Sequence, residues 1–358
     1  MIILRRIPLL PFIIVMAIMF VSLLTLYSVS GGHFAPWCTN QVWKMLLGVT
    51  VLLVVMQIKP ELWRKYAVAL YVISLLAVIV VEIMGKVSMG AQRWLQMGNI
   101  TMQPSEAMRI ALVLILAKYF SILTGDDIRI TRNLIIPIII TIVPTIFVLV
   151  QPDLGTAMLL ILVLTSILFA VGVQYWKFLT AFAGMVGVAP ILWNCLYEYQ
   201  RQRILMFLSP EMDPSGAGYY TIQAKIALGS GGFWGKGFLN GTQSQLDFLP
   251  EKHTDFIFVA FGEEWGFLGC VVVLCLYALL LIYNYKVALN SRNKFNRILV
   301  FGLNAMIFFY IFINISMVCG LLPVVGIPLP FFSYGGNALL VLMACQGIIF
   351  AVETDKQN

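Results

Sequence analysis

The chain alternates between long apolar runs and shorter polar connections. Ten runs are long enough to cross a bilayer, which takes about 17–25 residues of helix at 1.5 Å per residue. They cover 7–28, 41–58, 66–83, 104–120, 134–150, 155–173, 178–196, 256–285, 298–321 and 336–352. The pattern predicts an all-α, polytopic integral membrane protein with ten transmembrane helices and a single domain over 1–358. Arg5 and Arg6 precede the first run, and no small-residue cleavage signature follows it. It therefore reads as a retained helix, not a removed signal peptide.

Three connections stand out. The segment 197–254 is by far the longest. It holds RQR at Arg201–Arg203, a Pro- and Gly-containing stretch, and GKG at Gly235–Gly237. A structureless loop of that length is uncommon. Its Phe233, Trp234, Phe238 and Phe248 argue against disorder, so short interfacial helices are expected there. The segment Gly320–Gly336 carries Pro323, Pro328 and Pro330, which cannot continue a helix. Irregular backbone at membrane depth is tolerated only when it is buried in protein or lines a wet cavity. QPDLG at Gln151–Gly155 turns the fifth run into the sixth.

Composition removes the soluble alternative. The chain is 61% hydrophobic and 11% charged, against roughly 45–50% and 25% for a soluble domain. The net charge of +7 points to membrane orientation, with no nucleic acid as partner. With the N-terminus inside, the inner segments hold Arg5, Arg6, Lys59, Arg64, Lys65, Lys118, Arg129, Arg132, Lys177, Lys286, Arg292, Lys294, Arg297 and Lys356. The short outer segments hold only Lys44, Lys86, Arg93 and Arg109. That asymmetry is the positive-inside pattern. It puts both termini in the cytoplasm and makes 197–254 a large extracytoplasmic loop between the seventh and eighth spans. The six cysteines form no CxxC pair and give no disulfide framework. The two histidines, His33 and His253, are too few for a His-based zinc site.

An ionisable side chain within a span is costly, and is a functional candidate by default. Asp255 opens the eighth run, with Glu263 and Glu264 about 12–14 Å further along it. Glu106 and Arg109 open the fourth at an ion-pair spacing. Asp153 sits in the QPDLG turn. Each also has a structural reading. Thr254–Asp255 suits a helix cap, Asp153 a turn and N-cap, Glu106–Arg109 a structural pair, and Glu263 and Glu264 bonds to neighbouring helices. Arg201 and Arg203 suit phosphate recognition or a charged rim.

QPSE at Gln103–Glu106, QPDLGTA at Gln151–Ala157, GTQSQLDFLPEKHTDFIF at Gly241–Phe258 and GLLPVVGIPLPFFSYGG at Gly320–Gly336 together resemble the shape, elongation, division and sporulation family of bacterial cell-wall polymerases. The resemblance covers nearly the whole chain, and the third and fourth strings are more similar to the rod-shape branch than to the division branch. It implies a peptidoglycan glycosyltransferase of the bacterial cytoplasmic (inner) membrane, with its active site on the extracytoplasmic side. The enzyme would polymerise lipid II into β-1,4 glycan strands during cell elongation. The family's catalytic aspartate falls on Asp255. Its PSExxK pair falls on Glu106 and Arg109, where Arg stands in place of the commoner Lys. Arg keeps the charge but does not exchange a proton, which makes that position an electrostatic clamp. The motifs add Gln243, His253, Thr254, Asp153 and Ser333 as substrate-binding candidates, beside Arg201, Arg203 and Lys236.

The implied chemistry suits these groups. The acceptor sugar's 4-hydroxyl attacks the donor's anomeric carbon, Asp255 takes the proton as general base, and cations stabilise the departing undecaprenyl pyrophosphate. Mg²⁺ or Mn²⁺ at Asp255 is a further expectation, and no organic cofactor is implied. Expected partners are a class B penicillin-binding transpeptidase, other elongation-complex proteins and membrane lipids. The alternatives are a lipid II flippase and a membrane scaffold for the transpeptidase.

Overall fold

The structure is a computed structural model that describes residues 7–88, 91–97, 100–195, 201, 205, 217–245 and 251–355. In chain order it runs α1 (Leu9–Val29), α2 (Trp37–Met56), α3 (Pro60–Met84), three short strands, α4 (Pro104–Ile122), α5 (Gly125–Arg129), α6 (Arg132–Val150), α7 (Leu154–Ala170) and α8 (Tyr175–Cys195). Then follow α9 (Ala217–Ser230), α10 (Thr242–Gln245), α11 (Ile257–Leu289), α12 (Lys294–Val318) and α13 (Gly336–Asp355). Each apolar run has its helix. Seven of them, α1, α2, α3, α6, α11, α12 and α13, are long and apolar enough to cross a membrane, and α7 is a shorter apolar helix of 17 residues. Glu106, Arg109 and Lys118 make α4 more polar than these.

Helices dominate because hydrocarbon offers no partner for a backbone N–H or C=O, and a helix satisfies both internally. α12 is the central element, packed against α4, α7, α11 and α13. α2 lies on α13, α3 on α4, α6 on α7 and α1 on α11. Buried amides add direction to this apolar packing. Asn284 and Gln346 exchange hydrogen bonds of 3.1 and 3.0 Å between α11 and α13, each worth about 0.6–2 kcal/mol in such a setting.

The connections gather at two ends. At one end Trp37 meets His253, Arg93 meets Gln151, and Asn337 meets Thr101. At the other, Lys177 donates to the Arg129 carbonyl and Lys294 to the Leu123 carbonyl.

Four features depart from the sequence reading or refine it. The chain is not wholly helical. β1 (Lys86–Ser88), β2 (Ala91–Met97) and β3 (Ile100–Met102) form an antiparallel sheet in the order β1-β2-β3, with Lys86 opposite Trp94 and Met97 opposite Ile100. Strands of three to seven residues hold by pairing and by the Arg93 bonds to the Gln151 and Pro152 carbonyls, which hydropathy does not register.

The eighth run is not one straight helix. Gly266 has φ 65° and ψ −166° within α11, a conformation essentially confined to glycine. Asp255 lies in a turn before α11, so it and the two glutamates do not share one continuous helix.

The long connection carries α9 and α10, in line with the expected short helices. Arg203 lies outside the described residues. Cys38 is buried, Cys319 is exposed, and both are free.

Finally, the segment Gly320–Gly336 is irregular, as its prolines require, and its part from 329 to 333 is buried. Its carbonyls are met by side chains from the bundle. Asn314 donates to Ile327 O at 2.7 Å, Tyr277 to Pro330 O at 2.6 Å, Gln41 to Ser333 O at 3.4 Å, and Ser22 to Phe332 O. This meets the condition under which non-helical backbone survives at membrane depth.

Candidate active site

Asp255 stands at the end where the longer connections converge. The turn leading into α11 closes with Thr254 N–H on Glu251 O at 3.0 Å, and the Thr254 hydroxyl donates to Glu251 Oε2 at 2.9 Å. Phe256 is the N-cap of α11 and makes no side-chain capping bond. Thr254–Asp255 therefore does not act as the cap that the sequence allowed. Two outside contacts hold the turn. The Asn314 amide donates to the Asp255 carbonyl at 3.1 Å, and Tyr334 N–H donates to the His253 carbonyl at 3.0 Å. His253 stacks on Trp37 with centroids 4.0 Å apart, and Trp37 meets Tyr334 edge-on at 5.0 Å.

The Asp255 carboxylate lies against Gly326. A Cβ built there would sit 3.5 Å from Asp255 Oδ2, and Gly326 itself has φ +72°. Asp255 stays half-buried, whereas Glu106, Asp153, Glu263 and Glu264 are at most 6% exposed. Beside the turn, Ser30, His33, Trp37, Gln245, Lys252 and His253 are among the residues lining an open cleft of about 820 Å³.

A second group forms around α4. Arg109 Nη1 donates to Glu106 Oε2 at 2.7 Å, and its Nη2 donates to the Thr156 hydroxyl. Tyr310 donates to Glu106 Oε2 at 3.0 Å, and its ring lies 5.0 Å from the guanidinium carbon. The Thr156 hydroxyl in turn donates a hydrogen bond to Asp153 Oδ2 at 2.7 Å, and the Gln103 amide donates to the same oxygen at 3.2 Å. Asp153 also N-caps α7 through Thr156 N–H at 3.1 Å. The QPSE and QPDLGTA motifs thus form one network of two carboxylates, Glu106 and Asp153, around a single guanidinium, Arg109.

The two groups are coupled through α12. Tyr310 and Asn314 are four residues apart on one face, about 6 Å along the axis. One holds Glu106 and the other holds the Asp255 turn. The irregular piece 325–327 fills the space between. Ile327 Cγ1 and Val325 O lie 2.9 Å from where a Gly155 Cβ would stand, and Gly326 faces Asp255 on the other side.

A third group ties the Gly-rich loop to α11. Glu263 Oε1 accepts from Lys236 Nζ at 2.6 Å, Thr242 Oγ1 at 3.0 Å and Gln243 N at 3.0 Å. Glu264 accepts from the Ser28 hydroxyl. The backbone locks in parallel, with Lys236 N on Glu263 O at 3.0 Å and Phe267 N on Gly232 O at 2.9 Å. The Gly-rich loop is thereby fastened across the break at Gly266.

The predicted site residues therefore separate. Asp255, His253 and Thr254 share one turn. Glu106, Arg109 and Asp153 form the adjoining network. Ser333 is buried between α2 and the turn, where its hydroxyl accepts from Leu329 N at 2.8 Å. Lys236 and Gln243 sit at Glu263. Arg201 donates to the Trp193 and Asn194 carbonyls, each at 2.9 Å. The sequence reading missed Tyr310, Asn314, Thr156 and Trp37. Tyr310 and Asn314 carried a readable signal, as two polar groups one turn apart in an apolar run. Among the described residues, no group of three or more His, Cys, Asp and Glu could hold a metal ion.

Comparison with known proteins agrees over nearly the full length. A family model described as cell cycle protein, covering FtsW, RodA and SpoVE, matches residues 3–358. The chain is 41% identical over 348 residues to the peptidoglycan glycosyltransferase MrdB of Escherichia coli (strain K12), covering 96% of this chain and 93% of the relative. It is 36% identical over 327 residues to a probable peptidoglycan glycosyltransferase FtsW of Trichlorobacter lovleyi, covering 90% and 84%. Two solved structures are similar, each covering 97% of both chains. One, reported as structural coordination of polymerization and crosslinking by a peptidoglycan synthase complex, has a TM-score of 0.84 at 28% identity. The other, the rod shape determining protein RodA of Thermus thermophilus, has a TM-score of 0.72 at 25% identity.

Proposed function

The chain belongs to the FtsW, RodA and SpoVE family of cell cycle proteins, and from that premise we propose that Asp255 is the general base of a membrane-embedded peptidoglycan glycosyltransferase acting on lipid II. The acceptor's 4-hydroxyl oxygen forms the new bond to the donor's anomeric carbon. The bond from that carbon to the diphosphate oxygen breaks, and the hydroxyl proton passes to Asp255. Single displacement inverts an α-linked donor to a β-1,4 glycan, so one carboxylate suffices. The diphosphate leaves ionised and needs no general acid.

The observation that carries this reading is the contrast in access. Asp255 is half-buried in a turn whose Lys252 and His253 line an open cleft, whereas Glu106, Asp153, Glu263 and Glu264 are buried within hydrogen-bonded networks and the exposed Glu251 is bonded to Thr254. General-base assistance of this kind contributes about 10²–10⁴-fold. Arg109 holds a fixed positive charge near the turn and, bonded to Glu106 and Thr156, orients the network without exchanging a proton. Mg²⁺ or Mn²⁺ fits here only as an ion carried with the substrate. Asp255 would be its one protein carboxylate, and diphosphate oxygens and waters would complete its shell.

The protein is a multi-pass membrane protein. Ten spans, cytoplasmic termini and an outward-facing site in the bacterial cytoplasmic membrane are supported by the Lys/Arg asymmetry and by the clustering of alternate connections at opposite ends. A class B penicillin-binding transpeptidase is the proposed partner, supported by the likeness to a synthase complex that joins polymerisation to crosslinking.

The test is Asp255→Asn in purified protein, with and without the transpeptidase. The variant should insert and melt like wild type and polymerise no labelled lipid II. Full glycan synthesis by it ends the proposal.

A further inference from the structure

Most cations near the site are already engaged. Arg109 is bonded to Glu106 and Thr156, Lys236 to Glu263, and Arg201 to two carbonyls. Lys44 differs. It lies on α2 seven residues after Trp37, about 10 Å along the axis from the ring that stacks on His253. There, near the outer end of its span, an ammonium reaches the membrane–water boundary, where an anion is its natural partner. None is supplied by the described residues, where the two ion pairs are Arg109–Glu106 and Lys236–Glu263. Lys44 Nζ instead sits 3.5 Å from the centroid of the Tyr334 ring.

The surroundings strengthen the demand for negative charge. Lys44 Cδ and Cε lie 3.7 Å from where a Gly336 Cβ would stand, which is the first residue of α13. A helix start carries partial positive charge, so it cannot neutralise a lysine. Tyr334 links this ammonium to the catalytic turn, because its ring lies under Lys44 and its N–H donates to the His253 carbonyl, two residues before Asp255. Trp37, Gln41, Lys44 and Gly48 share one face of α2. Trp37 touches His253, Gln41 touches Ser333, and Gly48 touches Met343, so Lys44 lies on the face of α2 that packs against the catalytic turn and α13.

We propose that Lys44 binds the diphosphate of the polyprenyl-linked sugar, holding the leaving group at the α2–α13 face while its tail lies in the membrane. This deepens the proposed function and rests on it. The same chemistry would suit the phosphate of an anionic phospholipid, and the experiment separates the two.

Lys44→Met keeps an unbranched stem without charge, Lys44→Arg keeps the charge, and Asp255→Asn is the catalytic control. Each protein is reconstituted in nanodiscs of phosphatidylcholine alone, or with added phosphatidylglycerol. Lipid II polymerisation gives kcat and KM, and polyprenyl diphosphate titration gives Kd. Wild type must polymerise while Asp255→Asn does not; silence of wild type would refute the enzymatic reading itself. Given that, Lys44→Met should bind polyprenyl diphosphate about ten- to a hundredfold more weakly in both membranes, the range of a charge-assisted hydrogen bond. Polyprenyl monophosphate should lose less, and Lys44→Arg should recover most of the affinity. Unchanged affinity of Lys44→Met in phosphatidylcholine overturns the proposal. So does a defect confined to phosphatidylglycerol membranes, which would make Lys44 a phospholipid anchor. If Lys44→Met melts lower than wild type, Lys44→Gln decides by the same Kd comparison.

Discussion

Asn314 offers a sharp test of how the base is held. Its side chain is 0% exposed, and its amide donates to two main-chain carbonyls, Asp255 O at 3.1 Å and Ile327 O at 2.7 Å. Asn314→Leu preserves approximate size and removes both donors. Two carbonyls in a buried setting then lack this partner, at about 1–3 kcal/mol each, so a loss of about 2–4 kcal/mol of stability is expected after partial relaxation. The turn carrying Asp255 loses its tie to α12 and to the segment opposite. A displacement of the order of 1 Å in a positioned base costs about 10²-fold. The expected outcome is a fall of ten- to a hundredfold in kcat for lipid II polymerisation, with KM within about threefold, measured well below the lowered melting temperature. Asn314→Asp, which keeps the shape but cannot donate in its ionised form, should be no better. Wild-type kcat in a folded Asn314→Leu protein would refute the idea that this amide positions the base.

Arg109→Met should cost about 3–5 kcal/mol, because it leaves Glu106 buried without its counter-charge. Arg109→Lys should recover part of the melting temperature but not the bond to Thr156, and detergent melting curves check both. Gly266→Ala should prevent docking of the Gly-rich loop, since a Cβ there would lie 2.3 Å from Gly235 N at φ 65°. Protease cleavage within 229–241 should then appear in the variant and not in wild type, and equal resistance would count against the docking described.

Much of the site was legible as residues and little of it as contacts. Asp255, Glu106, Arg109 and Asp153 stood out because an ionised group in an apolar run is rare whatever surrounds it. Their partners did not stand out. Tyr310 lies 204 positions from the Glu106 it bonds, and Ser28 lies 236 from Glu264. Lys236 read as a phosphate ligand because its sequence neighbours are polar and glycine-rich, yet its ammonium meets Glu263 across the break in α11. The Glu106–Arg109 pair was legible because its spacing is local to one helix.

The sequence alone determined that the chain is a bundle of membrane helices, roughly where each lies, and how the positive charges are distributed among its connections. Those properties follow from local hydropathy and charge, which the membrane reads one segment at a time. The tertiary structure decided which acid stays half-buried in a turn beside a cleft, which acids are enclosed in hydrogen-bonded networks, and how a proline-rich segment survives within the bundle. Those outcomes depend on side chains from distant spans reaching the same buried carbonyls and carboxylates, and no periodicity along the chain encodes such a meeting.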